Sequence, residues 1–333
     1  MTEYPPPHTI DSHAMVRECL PMIQKGKWLD NNEPDDPVSR AARHALSVRL
    51  ELVEHYLPLA ADRRKADTDT VHQLRVATRR ACAAITSYAQ LLPPKRTRWL
   101  EKRLKRIRQA TGDARDCDVL AARLEARAAE DPKPAWKTLA KRIEICRRDA
   151  QAAIERIERR LRAKHFHRRV TRLVRKVEWR DESSAEPAFL EAARSGMRAV
   201  LEPFFSAGEN LSDTNSLHEF RILGKQLRYA MELFASAFDS SFRDELYPMV
   251  EELQEKLGEI NDHAAAIERC QHWIVAWEDP TLEEPVHQWI ATEEAALVAC
   301  QGRFHQWWAA ERVREWRQRF GEFIATAAAE QVA

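Results

Sequence analysis

Glycine is scarce in this sequence, with only 8 among 333 residues. No Asn-Gly or Asp-Gly pair separates two alternating apolar runs. Tight hairpins depend on such residues, so a hairpin-rich sheet is excluded. Cysteine is sparse too. Cys19, Cys82, Cys117, Cys146, Cys270 and Cys300 lie far apart, and none forms a Cys-x-x-Cys pair. A chain of this size needs no disulfide framework, so reduced thiols are expected. No run approaches the roughly 18 apolar residues of a membrane span. The first residues lack the positive and apolar regions of a signal peptide. The expectation is a soluble cytoplasmic protein. No Walker Gly-x-x-x-x-Gly-Lys loop is present either, which removes that route to nucleotide hydrolysis.

What is abundant is helix-forming: Ala, Leu, Glu and Arg dominate, and an all-α fold is predicted. Polar or Pro-rich breaks fall at 31–37, 61–69, 93–94, 130–134, 180–187, 208–215 and 279–285, with 3.6-residue apolar periodicity between them. The stretch 135–178 reads as one long helix or two with a bend. Net charge is only +1, but it is unevenly placed. Residues 1–180 hold 40 Lys+Arg against 24 Asp+Glu, and residues 181–333 hold 13 against 28. Such a split suggests an acidic half docked on a basic half, a basic surface kept for an anion, or both. It also leaves room for homo-oligomers in which one copy's acidic half meets another's basic half.

The chain repeats itself. Thr70-Val-His-Gln-Leu-Arg-Val-Ala-Thr-Arg79 aligns with Ser216-Leu-His-Glu-Phe-Arg-Ile-Leu-Gly-Lys225 at an offset of 146. At the same offset Leu100 meets Leu246, Gly112 meets Gly258 and Asp116 meets Asp262. Two copies of a helical unit of about four helices are expected, packed as one pseudo-symmetric domain. Thr70-x-x-Gln73 and Ser216-x-x-Glu219 both fit a capping box. That would put His72 and His218 in the first turn of a helix, where free N–H groups favour an anion.

At 100° per residue, His72, Arg75 and Arg79 share one face, opposite Leu74, Ala77, Ala81, Ala84, Ile85, Tyr88 and Leu92. His218, Arg221, Lys225 and Arg228 share a face in the second copy. Each stripe spans about 10 Å, which suits several successive phosphates. One such stripe is ordinarily just a solvated face. Its duplication, with His at the same turn, argues for function. Asp116 and Asp262 are expected either to pair with a motif arginine or to cap a helix after Gly112 and Gly258. The basic run Lys95–Arg108 and the run Lys137–Arg180 read mostly as solvated helix faces. His165-x-His167 reads as incidental, and Trp307, Trp308 and Trp316 as core or interface.

The segment His72-Gln-Leu-Arg75-Val-Ala-Thr-Arg79-Arg80, with Leu-Leu-Pro93 and Gly112-Asp-Ala-Arg115-Asp116-Cys-Asp118, resembles the CHAD domain, the conserved-histidine α-helical domain. The resemblance implies two pseudo-symmetric four-helix bundles around a basic groove or pore, over residues 37–325. Repeat one would cover about 37–180 and repeat two about 186–325, between an extension at 1–36 and a tail at 326–333. It also implies binding of inorganic polyphosphate without catalysis, and association with polyphosphate granules would follow; no cofactor and no metal-ligand set are read from the residues, and a metal bridging acidic residues to phosphate is left open. The implied ligand cations are His72, Arg75, Arg79, Arg80, His218, Arg221, Lys225 and Arg228, with Arg115 a further candidate. Copy two departs from copy one, with Gln226 in place of Arg80 and Asn261 in place of Arg115. Nucleic acid is the disfavoured alternative, because no aromatics interleave with the stripe. The Glu-x-Glu-x-Lys motif of tunnel triphosphatases is absent.

Overall fold

A computed structural model describes residues 27–64, 67–277 and 279–325. The first 26 residues and the tail at 326–333 lie outside it. Among the described residues the fold is all-α. Repeat one holds α1 (Val38–Ala61), α2 (Thr68–Ser87), α3 (Pro94–Ala110), α4 (Gly112–Glu130), α5 (Pro134–Ala163) and α6 (Phe166–Val174). Repeat two holds α7 (Phe189–Ala207), α8 (Thr214–Phe234), α9 (Tyr247–Trp277), α10 (Pro280–Trp307) and α11 (Ala310–Ile324). A π-helical turn, Phe242–Leu246, leads into α9.

Local chemistry sets these boundaries. Pro opens α3, α5 and α10 at a position where its missing N–H has no intrahelical partner to lose. The stretch 135–178 is two helices, broken where His165 adopts a left-handed backbone with φ 54°. The capping expectation needs correction. The N-caps are Asp67 and Asp213, three residues upstream of those expected. Asp67 accepts from the Thr70 amide at 2.6 Å, and Asp213 forms a reciprocal box with Ser216. A carboxylate outcompetes a hydroxyl here because it also meets the positive end of the helix dipole. Gln73 turns instead to Asp69, at 3.2 Å. His72 and His218 therefore sit in the second turn, where the surrounding amides are already bonded within the helix. They act as side chains on a helix face, without free terminal N–H groups beside them.

The two repeats begin side by side. Phe189 N donates to Asp36 O at 2.8 Å and Val38 N to Pro187 O at 3.1 Å, around a single antiparallel bridge of Pro37 with Ala188. Leu29, upstream of the expected domain start, is buried in the core. The main hydrophobic cluster draws on both repeats, as where Tyr88 meets Phe234 edge-on at 5.9 Å. A second cluster joins the tips of the α4–α5 and α9–α10 hairpins, with Trp136 against Trp289 at 6.3 Å. The copies thus share their core. Trp308 and Trp316 are buried beside Phe204, as expected of core residues.

The acidic half does dock on the basic half. Arg80 pairs with Glu232, Arg123 with Glu293 and Arg142 with Asp279. The repeats also differ in detail. Gly112 opens α4 after a break at Thr111, whereas α9 runs straight through Gly258.

Candidate anion-binding site

Helices α2 and α8, which carry the two repeated stripes, pack against each other. Each turns its apolar side inward. Leu74, Ala77, Ala81, Ala84 and Ile85 are buried on α2, and Phe220, Leu227, Ala230, Met231 and Phe234 on α8. The cationic sides converge at Arg79. On its own helix its charge acts on His72 and Arg75; across the interface it acts on Arg221 and Lys225. One residue thus joins stripes that lie 146 positions apart in the sequence.

Crowding of like charge in a half-buried setting marks the cluster. Burial, reinforced by Arg221, Arg79 and Arg228, pushes the Lys225 ammonium down to about 6. Burial lowers Arg75 as well, with Arg79, Arg115 and Arg108 adding to the effect and Asp116 opposing it. Arg221 is lowered by burial and Arg79, against Asp262. His72 is lowered by burial and then by Arg115, Arg79 and Arg75, so it favours the neutral imidazole. A cationic cluster held so close together gains most from an incoming anion, which removes repulsion as well as adding contacts.

Fixed contacts orient several members. Arg75 Nη1 donates to the Arg108 carbonyl at 2.9 Å and to Thr111 Oγ1 at 3.2 Å. In copy two the contact at the corresponding place runs the other way, from Gln254 Nε2 to the Arg221 carbonyl at 3.5 Å. His218 is exposed, and its Nδ1 lies 3.0 Å from Asn261 Oδ1. Asn261 stands where copy one has Arg115, so the substitution replaces a charge beside the histidine with a group that orients it.

Arg80 and Arg228 are placed differently from the rest. Arg80 forks onto Glu232, with Nε at 2.6 Å and Nη2 at 3.0 Å. Arg228 Nε stands 4.0 Å from the same carboxylate, and its guanidinium lies over the Tyr229 ring at 5.1 Å. Glu232 is 1% exposed and also accepts from Tyr247 at 2.8 Å. In this structure Arg80 serves the core, and the basic side chains that crowd together are His72, Arg75, Arg79, Arg115, Arg221 and Lys225, with Arg228 acting on Lys225 from the Glu232 side. Arg108, grouped in the sequence with a solvated face, adds its charge to the cluster beside Arg75. Its position one turn before Gly112 was the available signal.

Asp116 neither pairs with a motif arginine nor caps a helix. It accepts from Arg269 Nη2 at 2.8 Å, and Asp113 lies 3.4 Å from the same nitrogen. Asp262 sits near Arg221 and Lys225, within the interior of α9. His167 meets Glu54 at 2.9 Å rather than a metal-type partner set. Donor atoms of Glu259, His263 and Cys300 lie within 4.8 Å of one another. Arg303, however, donates at 3.0 Å to both Glu259 and the Cys300 sulfur.

With this geometry in hand, comparison with known proteins decides the family. The CHAD domain model matches residues 38–271. This chain belongs to the CHAD-domain family. Two uncharacterized proteins from strains of Mycobacterium tuberculosis are 28% identical to it over 207 residues, which is 59% of this chain and 39% of theirs. The chain therefore covers well under half the length of these curated relatives. The crystal structure of the CHAD domain from the plant Ricinus communis superposes with a TM-score of 0.62 at 20% identity, covering 88% of this chain and 95% of that one. PptA from Streptomyces chartreusis gives 0.60 at 15% identity, covering 82% and 99%. At such identities the likeness establishes the CHAD fold. No helix among the described residues is long and apolar enough to cross a membrane.

Proposed function

We propose that this CHAD domain binds inorganic polyphosphate, without catalysis, through the cations that α2 and α8 bring together. The observation that carries this reading is the place of Arg79, among His72 and Arg75 on one helix and Arg221 and Lys225 on the other. Guanidinium groups fork onto phosphoryl oxygens, and the lysine acts as a point charge. Each charge-assisted contact contributes about 1.5–3 kcal/mol, so several in series give tight binding. The nearby carboxylate Glu232 is held by Arg80 and Tyr247, and Asp116 by Arg269, while Asp262 offsets only part of the charge at Arg221 and Lys225. Recruitment to polyphosphate granules would follow from the same contacts.

Polyphosphates of defined length, titrated at several salt concentrations, test the reading. Wild type should bind longer chains more tightly and lose affinity steeply with salt, through counterion release. Arg75→Glu with Arg221→Glu should lose binding while keeping its helical content. Unchanged binding in that variant would move the site elsewhere. Orthophosphate release at a catalytic rate with a divalent metal would overturn the non-catalytic part. RNA competing as well as long polyphosphate would overturn the ligand class.

A further inference from the structure

A second concentration of positive charge lies away from the α2–α8 cluster. The N-terminal turns of α3 and most of α6 enclose a cleft of about 390 Å³, lined by Lys95, Arg96, Trp99, His165, Arg168, Arg169 and Arg172 with three apolar residues. No carboxylate lines it. Arg96 Nη1 donates to the Arg172 carbonyl at 3.0 Å, tying the two helices together. Trp99 packs on Phe166, the first residue of α6, at 6.1 Å. Three carboxylates of the neighbouring helices are engaged elsewhere: Glu155 with Arg63, Glu158 with Arg162 and Glu54 with His167.

Trp99 and Arg169 of the cleft wall belong to a stack that Arg103, outside the lining, completes. The guanidinium of Arg169 lies 4.7 Å from the centre of the Trp99 ring, and that of Arg103 lies 5.2 Å from it. Cation–π contact holds both in place. Arg103 Nε and Nη1 are buried without a hydrogen-bond partner. Burial, then Arg106, Arg160 and Arg169, disfavours its charge. The indole, already flanked by guanidinium groups, is poorly placed to stack a nucleobase. The recognition offered is therefore to phosphoryl oxygens.

We propose that the cleft between α3 and α6 is a second anion site, separate from the α2–α8 cluster, that takes a segment of inorganic condensed phosphate. It shares its ligand class with the reading above but stands on different residues. The probe is sodium tripolyphosphate, followed by calorimetry and by the emission of Trp99, isolated as the difference between wild type and Trp99→Phe. Wild type should show a Trp99 response. Lys95→Glu with Arg168→Glu and Arg172→Glu, all exposed positions, should abolish it and weaken that class of binding about tenfold or more. Arg75→Glu with Arg221→Glu should leave it in place. Circular dichroism shows whether each variant is folded, and the wild-type response needs no substitution in either cluster. Binding in wild type with no Trp99 response, or a response unmoved by the triple substitution, would overturn the second site alone. No tripolyphosphate binding in wild type would overturn both proposals. Single-stranded RNA displacing tripolyphosphate from this cleft at equal phosphate concentration would overturn the ligand class.

Discussion

Arg80 and Glu232 meet across the two repeats in a bidentate ion pair, with contacts of 2.6 and 3.0 Å. Glu232 is 1% exposed, and Arg49 approaches it to 3.9 Å from α1. With Arg228 Nε 4.0 Å away on its own helix, this carboxylate faces cations from both halves. Removing one partner of a buried pair leaves an uncompensated charge. Glu232→Ala should cost about 3–5 kcal/mol of stability. Arg80→Ala should cost less, because Tyr247 and Arg49 still face the carboxylate. Arg79, one residue earlier, should behave in the opposite way. Arg79→Ala should keep stability within about 0.5 kcal/mol yet weaken polyphosphate binding about tenfold or more. Denaturant unfolding and binding isotherms on the three variants check this. Equal binding losses at positions 79 and 80, with stability intact in both, would contradict the division of roles.

Lys225 makes the site sensitive to pH. Its folded pKa is about 6 against an ordinary 10.5. Between those values the unfolded chain holds the extra proton, so this residue makes stability rise with pH across that window. Below pH 6 both states are protonated, and the cost of burying the charge is felt in full. Lys225→Met should therefore gain most over wild type at the acid end. A bound polyanion reverses the balance by favouring the ammonium form. Binding near neutral pH should draw in a proton, with His72, also lowered, adding to the uptake. Calorimetry in buffers of different ionisation enthalpy reads the uptake directly. Heats that do not depend on buffer, or that keep the same dependence in Lys225→Met, would sink the idea.

Gly196 on α7 sets the spacing to α8. A Cβ there would stand 2.6 Å from one ring carbon of Phe234 and 2.7 Å from another. The ring is buried between Tyr88 and Phe189, so it has little room to move. Overpacking of this kind costs about 1–3 kcal/mol, against about 1 kcal/mol gained in helix propensity. Gly196→Ala should thus lower the thermal unfolding midpoint, and a raised midpoint would show that the ring yields. Gly258→Ala, whose Cβ meets nothing within 4 Å, is the matched control and should be neutral or stabilising.

Much of the fold was legible because helical periodicity is a local signal. The apolar faces of α2 and α8 came out buried where 3.6-residue spacing put them. The cap positions were misread because a hydroxyl pattern at Thr70 and Ser216 fitted a box that Asp67 and Asp213 fit better. The repeat, extended three residues upstream, contained both aspartates at the same offset. The sequence offers Asp116 as a partner of a motif arginine or as a helix cap, and it instead holds Arg269, a partner from the other repeat that no spacing within copy one reveals.

By itself the sequence determined that the chain is helical, that two of its segments repeat at an offset of 146, and that each of them carries a basic face on one helix. Those properties follow from composition, periodicity and self-similarity, all readable along one strand of text. Only the tertiary structure decided which of those cations crowd together and which are neutralised. Arg79 and Arg80 are neighbours on one helix, but they point about 100° apart. One acts on Lys225 and the other binds Glu232, because α8 packs against α2, a contact that no local pattern encodes.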